Sequence, residues 1–174
     1  MLPFFTDDYS KSLSELLGLR GTYREDSLLM AIDGRIQRYV NEPYTQTERI
    51  ILAIEDLERH VNSDGFESFF LRAPQYAGDI VNYLRLCHCP NTADIVEKAI
   101  ARLGSEILTN RDEVVARASE VDFSQEEDAF FVYPDDIAEL LMDYITENQS
   151  SIRIRDTNKP EARLSWFNRI FFKK

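Results

Sequence analysis

The residue types in this chain that could carry out chemistry are one short run of metal-ligand types and a long series of carboxylates. Cys87, His88 and Cys89 are consecutive, and zinc binds both cysteine and histidine side chains. A structural zinc site usually needs paired ligands spaced a few residues apart, and the other histidine, His60, is isolated in the sequence. We therefore expect buried thiols near a helix end, no metal ion and no other cofactor.

Motifs for nucleophilic catalysis and phosphate binding do not occur in the sequence. There is no Gly-x-Ser-x-Gly and no His-Glu-x-x-His, and the six glycines form no nucleotide-binding fingerprint. The hypothesis of a hydrolase that uses paired carboxylates stays open, because any acidic protein offers candidate pairs. The pattern favours a protein that is not an enzyme.

The carboxylates are concentrated in one segment, residues 106–147. It contains thirteen Asp and Glu residues but only two basic residues, Arg111 and Arg117, so its net charge matches the −11 of the whole chain. Negative charge of this density repels nucleic acids and anionic lipid surfaces. We therefore expect neither direct nucleic-acid binding nor membrane binding, and we expect a basic protein as the partner.

Within this acidic segment, apolar spacing predicts a helix over residues 134–148. The predicted buried stripe consists of Ile137, Leu140, Leu141, Tyr144 and Ile145. The acidic residues predicted to face outward are Asp135, Asp136, Glu139, Asp143 and Glu147. Four of these are spaced four apart, which places successive carboxylates about 6 Å apart along a helix. Two phosphate steps of one DNA strand cover about 6.8 Å, so the column approximates the charge spacing of a duplex edge.

Two further groups of acidic residues could extend this predicted partner-binding surface. They are Glu126, Glu127 and Asp128 before the helix, and Glu48, Glu55 and Asp56 on an earlier helix. The alternative is a solvated helix face that only keeps the protein soluble.

Apolar residues recur at helical spacing throughout the chain, which predicts an all-α fold and a compact single-domain multi-helix bundle over residues 1–174. The predicted helices cover residues 7–17 and 22–40, and others begin at Thr45, Pro74 and Asn91. Thr45 and Glu48 form a capping-box pattern. A last short helix is expected over residues 163–174. It could pack in the core, form a dimer interface or bind a membrane surface, and the first two are favoured over the third.

The sequence contains no secretory signal and no long apolar run, which favours a cytoplasmic protein.

The run Asn62-Ser63-Asp64-Gly65-Phe66-Glu67-Ser68-Phe69-Phe70 resembles the Asn-x-Gly-Gly-Phe-x-x-Phe-Phe signature of a bacterial family of unknown-function domains. The resemblance covers about residues 45–103, and Asp64 replaces the first signature glycine. The motif residues Asn62, Gly65, Phe66, Phe69 and Phe70 are expected to be structural, with Gly65 allowing an unusual backbone conformation. The family includes a neisserial DNA-mimic protein, an acidic dimer that occupies the DNA-binding face of a helix-turn-helix transcription factor.

Two functional hypotheses follow from the charge distribution and the resemblance. The first is a homodimeric DNA mimic that blocks a helix-turn-helix transcription factor. The second is an immunity protein that covers the active site of a basic toxin nuclease. Both use the same electrostatic attraction, and the sequence does not distinguish them.

Overall fold

The computed structural model describes residues 1–154, which form eight α-helices, three short 3-10 helices and no β-strand. The α-helices are α1 (Leu13–Leu17), α2 (Glu25–Tyr39), α3 (Gln46–Arg72), α4 (Ile80–Leu86), α5 (Pro90–Leu103), α6 (Arg111–Ala118), α7 (Ser124–Phe130) and α8 (Ile137–Glu147). The 3-10 helices are Pro74–Tyr76, Ser105–Ile107 and Gln149–Ser151. The all-helical prediction is confirmed.

Helix α3 is the central element of the fold. It contacts α2, α4, α6, α7 and α8. Its apolar residues Ile50, Ile54, Leu57 and Val61 recur every three or four positions and are fully buried, as expected for a helix enclosed by its neighbours. The capping box of Thr45 and Glu48 starts this helix as the sequence predicted.

A kink divides α3 in its C-terminal third, at Asp64 and Gly65. Asp64 and Gly65 leave helical geometry, and Gly65 has a φ of +82°, but the chain then resumes its helical path to Arg72. Phe66, Phe69 and Phe70 beyond the kink are fully buried and contact one another. Gly65 therefore has the unusual backbone conformation that the sequence predicted, and the three phenylalanines pack in the core.

Several predicted helix boundaries differ from the structure. The first helix is limited to Leu13–Leu17, because Ser12 caps it with its own capping box. Helix α5 begins at Pro90, so the predicted cap Asn91 lies inside the helix. Helices α6 and α7 were not predicted, and the predicted helix over residues 163–174 lies outside the described residues. Among the helices that the structure describes, none combines the length and the apolar character needed to span a membrane.

Candidate functional site

Helix α8 carries the exposed part of the predicted acidic surface. Asp136 caps the helix by accepting a hydrogen bond from the backbone N–H of Glu139 at 3.1 Å. The helix contacts α2 and buries Leu141, Met142 and Ile145. Its exposed acidic residues are Asp136, Glu139, Asp143 and Glu147. This amphipathic helix therefore presents four of the five acidic residues that were predicted to face outward.

The column on α8 is shorter than the sequence predicted. Glu139, Asp143 and Glu147 follow one another at one-turn intervals, but the helix begins after Asp135. Asp143 forms an ion pair with Arg20 at 2.8 Å, while Glu139 and Glu147 form no ion pair with any residue in the range 1–154. Two carboxylates of the column are therefore not paired with any arginine of residues 1–154.

Asp135 does not face outward as predicted. Its side chain is buried and accepts hydrogen bonds from the backbone N–H of Thr92 at 2.7 Å and from the side-chain amide of Asn91 at 2.8 Å. The N–H groups of the first helical turn lack partners within their own helix, and the helix dipole favours a negative charge there. Asp135 is therefore a cap for α5, supplied by a distant part of the chain.

Glu126, Glu127 and Asp128, a predicted acidic group, all lie on α7 but point into different surroundings. Glu126 is buried and pairs with Arg102 at 2.8 Å. Glu127 accepts a hydrogen bond at 2.9 Å from the backbone N–H of Phe66, the first residue after the kink in α3. Asp128 is exposed. Only Asp128 of this group is placed at the surface as predicted.

The predicted acidic edge on α3 is also mainly internal. Glu48 is fully buried, and it accepts hydrogen bonds from the backbone and the guanidinium of Arg153 at 2.7 and 2.6 Å. Burial acts to raise the pKa of Glu48, but the bonds from Arg153 and Thr45 outweigh it and hold this pKa below its usual value. Asp56 is partly buried and pairs with Arg59 at 2.6 Å. The predicted exposed edge is therefore wrong for Glu48, because this residue closes the start of α3.

Glu55, the third predicted residue on this edge, lines a cleft instead of the open surface. It is 8% exposed, and it forms no hydrogen bond or ion pair with the described part of the chain. Burial, together with the nearby charge of Asp33, raises the pKa of Glu55 to about 8. The placement of Glu55 in an exposed acidic edge is wrong, because its position on α3 faces α2.

The cleft lies between α2, α3 and the start of α8, and we call it the α2–α3–α8 cleft. Its volume is about 260 Å³, and its lining includes Leu29, Met30, Glu55, Glu58, Tyr133 and Ile137. Glu58 was not among the predicted site residues, and burial raises its pKa to about 7 although a hydrogen bond from Asn62 opposes the shift. Glu55 and Glu58 each follow a buried isoleucine by four residues, which was the sequence signal that they face the interior.

Asn62 has a positioning role beside this cleft. The hydroxyl of Tyr133 donates a hydrogen bond to the side-chain oxygen of Asn62 at 2.7 Å. Tyr133 has a φ of +53°, a conformation that non-glycine residues adopt infrequently. The motif residue Asn62 therefore fixes an aromatic side chain at the cleft, in addition to lying just before the kink of α3.

The cysteines lie between two helices and are buried. Cys87 follows α4 and Cys89 precedes α5, so both buried thiols lie at helix ends, as the sequence predicted. Burial raises the pKa of both thiols, which disfavours the thiolate that binds metals. Across residues 1–154, no group of three His, Cys, Asp or Glu side chains is arranged to hold a metal ion.

Comparison with known protein families assigns the chain to one family. The family described as DMP19-like protein matches residues 42–148, which is more than half of the sequence. The chain belongs to the DMP19-like protein family. The DMP19-like region runs from just before α3 to just after α8, so it contains both the predicted motif and the acidic segment. Helices α1 and α2 precede it. No curated protein and no solved structure matches the chain.

Proposed function

We propose that this DMP19-like protein is a DNA mimic, which binds the DNA-binding face of a helix-turn-helix transcription factor through α8 and blocks DNA binding. The observation that carries the proposal is the exposed row of carboxylates on α8, in which Glu139 and Glu147 have no ion-pair partner within residues 1–154. Family membership supports the same function, since the sequence resemblance also led to a DNA mimic. In this proposal the protein acts by binding and not as an enzyme.

The geometry of α8 supports an imitation of the phosphate backbone. Glu139, Asp143 and Glu147 lie four residues apart on one helix, so their backbone positions are separated by about 6 Å along its axis. This distance is close to two phosphate steps of one DNA strand, about 6.8 Å. Packing of Leu141, Met142 and Ile145 fixes the helix against the core. A fixed array loses little conformational entropy when a basic partner binds.

The proposed partner-binding surface is smaller than the surface predicted from the sequence. It consists of Asp128, Asp136, Glu139, Asp143 and Glu147. Glu48, Glu55, Glu126 and Asp135 are left out because they are buried. We expect the protein to act as a cytoplasmic homodimer, which would present two such surfaces to a dimeric transcription factor.

Displacement of the partner from DNA tests the proposed function. Helix-turn-helix proteins of the source organism would be captured at low salt, identified, purified and bound to their operator DNA, and the DMP19-like protein would then be added. We expect release of the DNA by the wild-type chain. The triple variant Glu139→Gln, Asp143→Asn and Glu147→Gln should release it at least about tenfold less effectively, because three attractive charges are lost.

A matched control separates this surface from net charge alone. The variant Glu42→Gln, Asp64→Asn and Glu67→Gln also removes three exposed carboxylates, all of them outside residues 106–147. It should displace DNA as well as the wild type. Equal loss in both variants would refute a specific α8 surface, and inhibition of a nuclease without any effect on operator binding would favour an immunity protein.

A further inference from the structure

The α2–α3–α8 cleft contains more carboxyl groups than its cation can neutralise. Arg59 lies at the cleft and pairs with Asp33 at 2.7 Å and with Asp56 at 2.6 Å. Gln37 also donates two hydrogen bonds to Asp33. The guanidinium is therefore already engaged by two carboxylates, and Glu55 and Glu58 remain without a cationic partner in the range 1–154.

Within residues 1–154, Glu55 and one oxygen of Glu58 lack hydrogen-bond partners, a condition that native interiors avoid. Glu55 is 8% exposed, borders the cleft and has no hydrogen bond or ion pair with the described chain. The Oε1 atom of Glu58 is buried and has no hydrogen-bond partner there. Buried polar groups are nearly always paired, so a carboxyl oxygen left open toward a cleft indicates a missing ligand. A hydrogen-bond donor that carries a positive charge would satisfy such an oxygen and favour the ionised form of the carboxyl.

The walls of the cleft are apolar and select the shape of the ligand. Leu29, Met30 and Ile137 line it, and the Tyr133 ring is held in place by the hydrogen bond from its hydroxyl to Asn62. Met30 and Tyr133 are 57% and 47% exposed, so they border the opening. A lysine or arginine side chain has an apolar stem and a charged head, and its stem can cover such walls while the head reaches the carboxyls. An aromatic face adds attraction for a cation.

The opening of the cleft adjoins the proposed partner-binding surface. A neighbouring depression shares Glu58, Tyr133, Ile137 and Ala138 with the cleft and is also lined by Asp136, the cap of α8. A protein bound along α8 would therefore have the cleft at the N-terminal end of its contact. Charge complementarity identifies the occupant as a basic side chain.

We propose that the α2–α3–α8 cleft receives one arginine or lysine side chain of the protein partner, with its charged head between Glu55 and Glu58. The partner as the source of this side chain rests on the proposed function, whereas the cation selectivity of the cleft does not. The inserted cation supplies donors to Glu55 and to the unpaired Oε1 atom of Glu58. A residue that fills a desolvated pocket in this manner is the usual form of an interface hot spot.

Titration with N-acetyl-arginine amide tests the cleft directly. The isotope-labelled full chain would be followed by two-dimensional NMR, with N-acetyl-citrulline amide as the uncharged probe of the same shape. We expect saturable shifts at Met30, Asn62 and Ala138, with a Kd on the order of 1 mM for the arginine probe and at least about tenfold weaker binding of the citrulline probe. Equal shifts with both probes would overturn the proposal.

Two variants keep the test independent of folding. Glu55→Gln combined with Glu58→Gln should weaken binding of the arginine probe at least about tenfold, because the amides carry no negative charge. Ala138→Phe should block the cleft without changing any charge. Glu42→Gln combined with Glu67→Gln also removes two carboxylates, from exposed positions outside the cleft and outside α8, and should leave probe binding unchanged. Full probe binding by either cleft variant would contradict the proposed site.

Measurements with the partner protein distinguish this inference from the proposed function. If the chain displaces no DNA-binding protein while its cleft still selects arginine over citrulline, the proposed function fails and the cleft retains its assigned chemistry. If the partner binds the Glu55→Gln and Glu58→Gln double variant as tightly as the wild type, the partner does not insert a side chain and the proposal is overturned.

Discussion

Some carboxylates of this protein support the fold, whereas others are exposed on its surface. Asp135 and Glu127 accept backbone hydrogen bonds from Thr92 and Phe66, so they satisfy donors that a helix start and a helix kink leave open. Glu139 and Glu147 are exposed on α8 and form no ion pair within residues 1–154. Residue type alone therefore does not identify the binding surface, because aspartate and glutamate occur both in the interior and on the exposed face.

Sequence reasoning found the exposed carboxylates on α8 but could not exclude the internal ones. Asp135 and Thr92 are 43 positions apart, and Phe66 and Glu127 are 61 positions apart. Neither contact leaves a local pattern, whereas the capping box of Thr45 and Glu48 lies within one turn and was recognised. Even there, the second role of Glu48 as acceptor for Arg153 spans 105 positions and was not foreseen.

The raised pKa of Glu55 predicts a loss of stability as the pH increases. The folded protein holds this proton up to about pH 8, while the unfolded chain releases it near the ordinary value of 4.5. Between these values the folded state binds more protons, so the free energy of unfolding must fall with rising pH. We expect Glu55→Gln to remove a decline on the order of a few kcal/mol, measured by chemical denaturation across this range.

Neighbouring carboxyl groups also contribute to the pH dependence of the free energy of unfolding. Asp33 on α2 and Asp56 on α3 also have raised pKa values through burial, and Glu58 titrates near 7, so the variant should keep a smaller decline. Arg59 moderates these shifts, since its charge lowers the pKa of Glu55. Exposed Glu139→Gln is the control and should follow the wild type. Parallel curves for Glu55→Gln and the wild type would contradict the assignment.

At the level of helices, apolar periodicity predicted long elements well and short ones poorly. Helix α2 occupies Glu25–Tyr39 within the predicted range of residues 22–40, because its buried stripe repeats over four turns. Helices α6 and α7 have only eight and seven residues, and each buries just two side chains in its span. So few apolar positions give no readable period, and their acidic residues suggested a surface segment instead.

The kink in α3 is the element whose geometry depends most on one residue. Gly65 has a φ of +82°, and a Cβ at this position would lie 2.1 Å from Oε1 of Glu127. Gly65→Ala would therefore strain the backbone and displace the carboxylate that accepts the bond from Phe66. We expect a loss of about 2–4 kcal/mol in the free energy of unfolding, measured by urea denaturation.

Gly34 provides the matched control for this substitution. It lies inside α2, and a Cβ there would meet only the Tyr9 hydroxyl oxygen at 3.8 Å, an ordinary contact. Gly34→Ala should stabilise the protein by up to about 1 kcal/mol, because alanine favours the helical backbone. Similar destabilisation by both substitutions would show that the kink has no special requirement for glycine.

On the scale of the whole molecule, the excess of negative charge has opposite consequences for folding and for binding. The chain carries 31 acidic and 20 basic side chains, a net charge of −11. Self-repulsion of such a body disfavours the compact state, whereas the same charge attracts a basic partner from a distance. Ion pairs between exposed side chains, such as Arg85 with Glu97, add little to stability.

Added salt should therefore stabilise the fold while weakening partner binding. Screening reduces self-repulsion and interface attraction alike, since the Debye length falls below about 10 Å above roughly 0.1 M salt. In one NaCl series we expect the Tm to rise and the partner affinity to fall by about tenfold or more. The Glu139→Gln, Asp143→Asn and Glu147→Gln variant should show the same rise in Tm but a flatter decline in affinity, because three of the screened interactions are already absent. An affinity that does not depend on salt in the wild type would mean that apolar contacts, and not the α8 carboxylates, hold the partner.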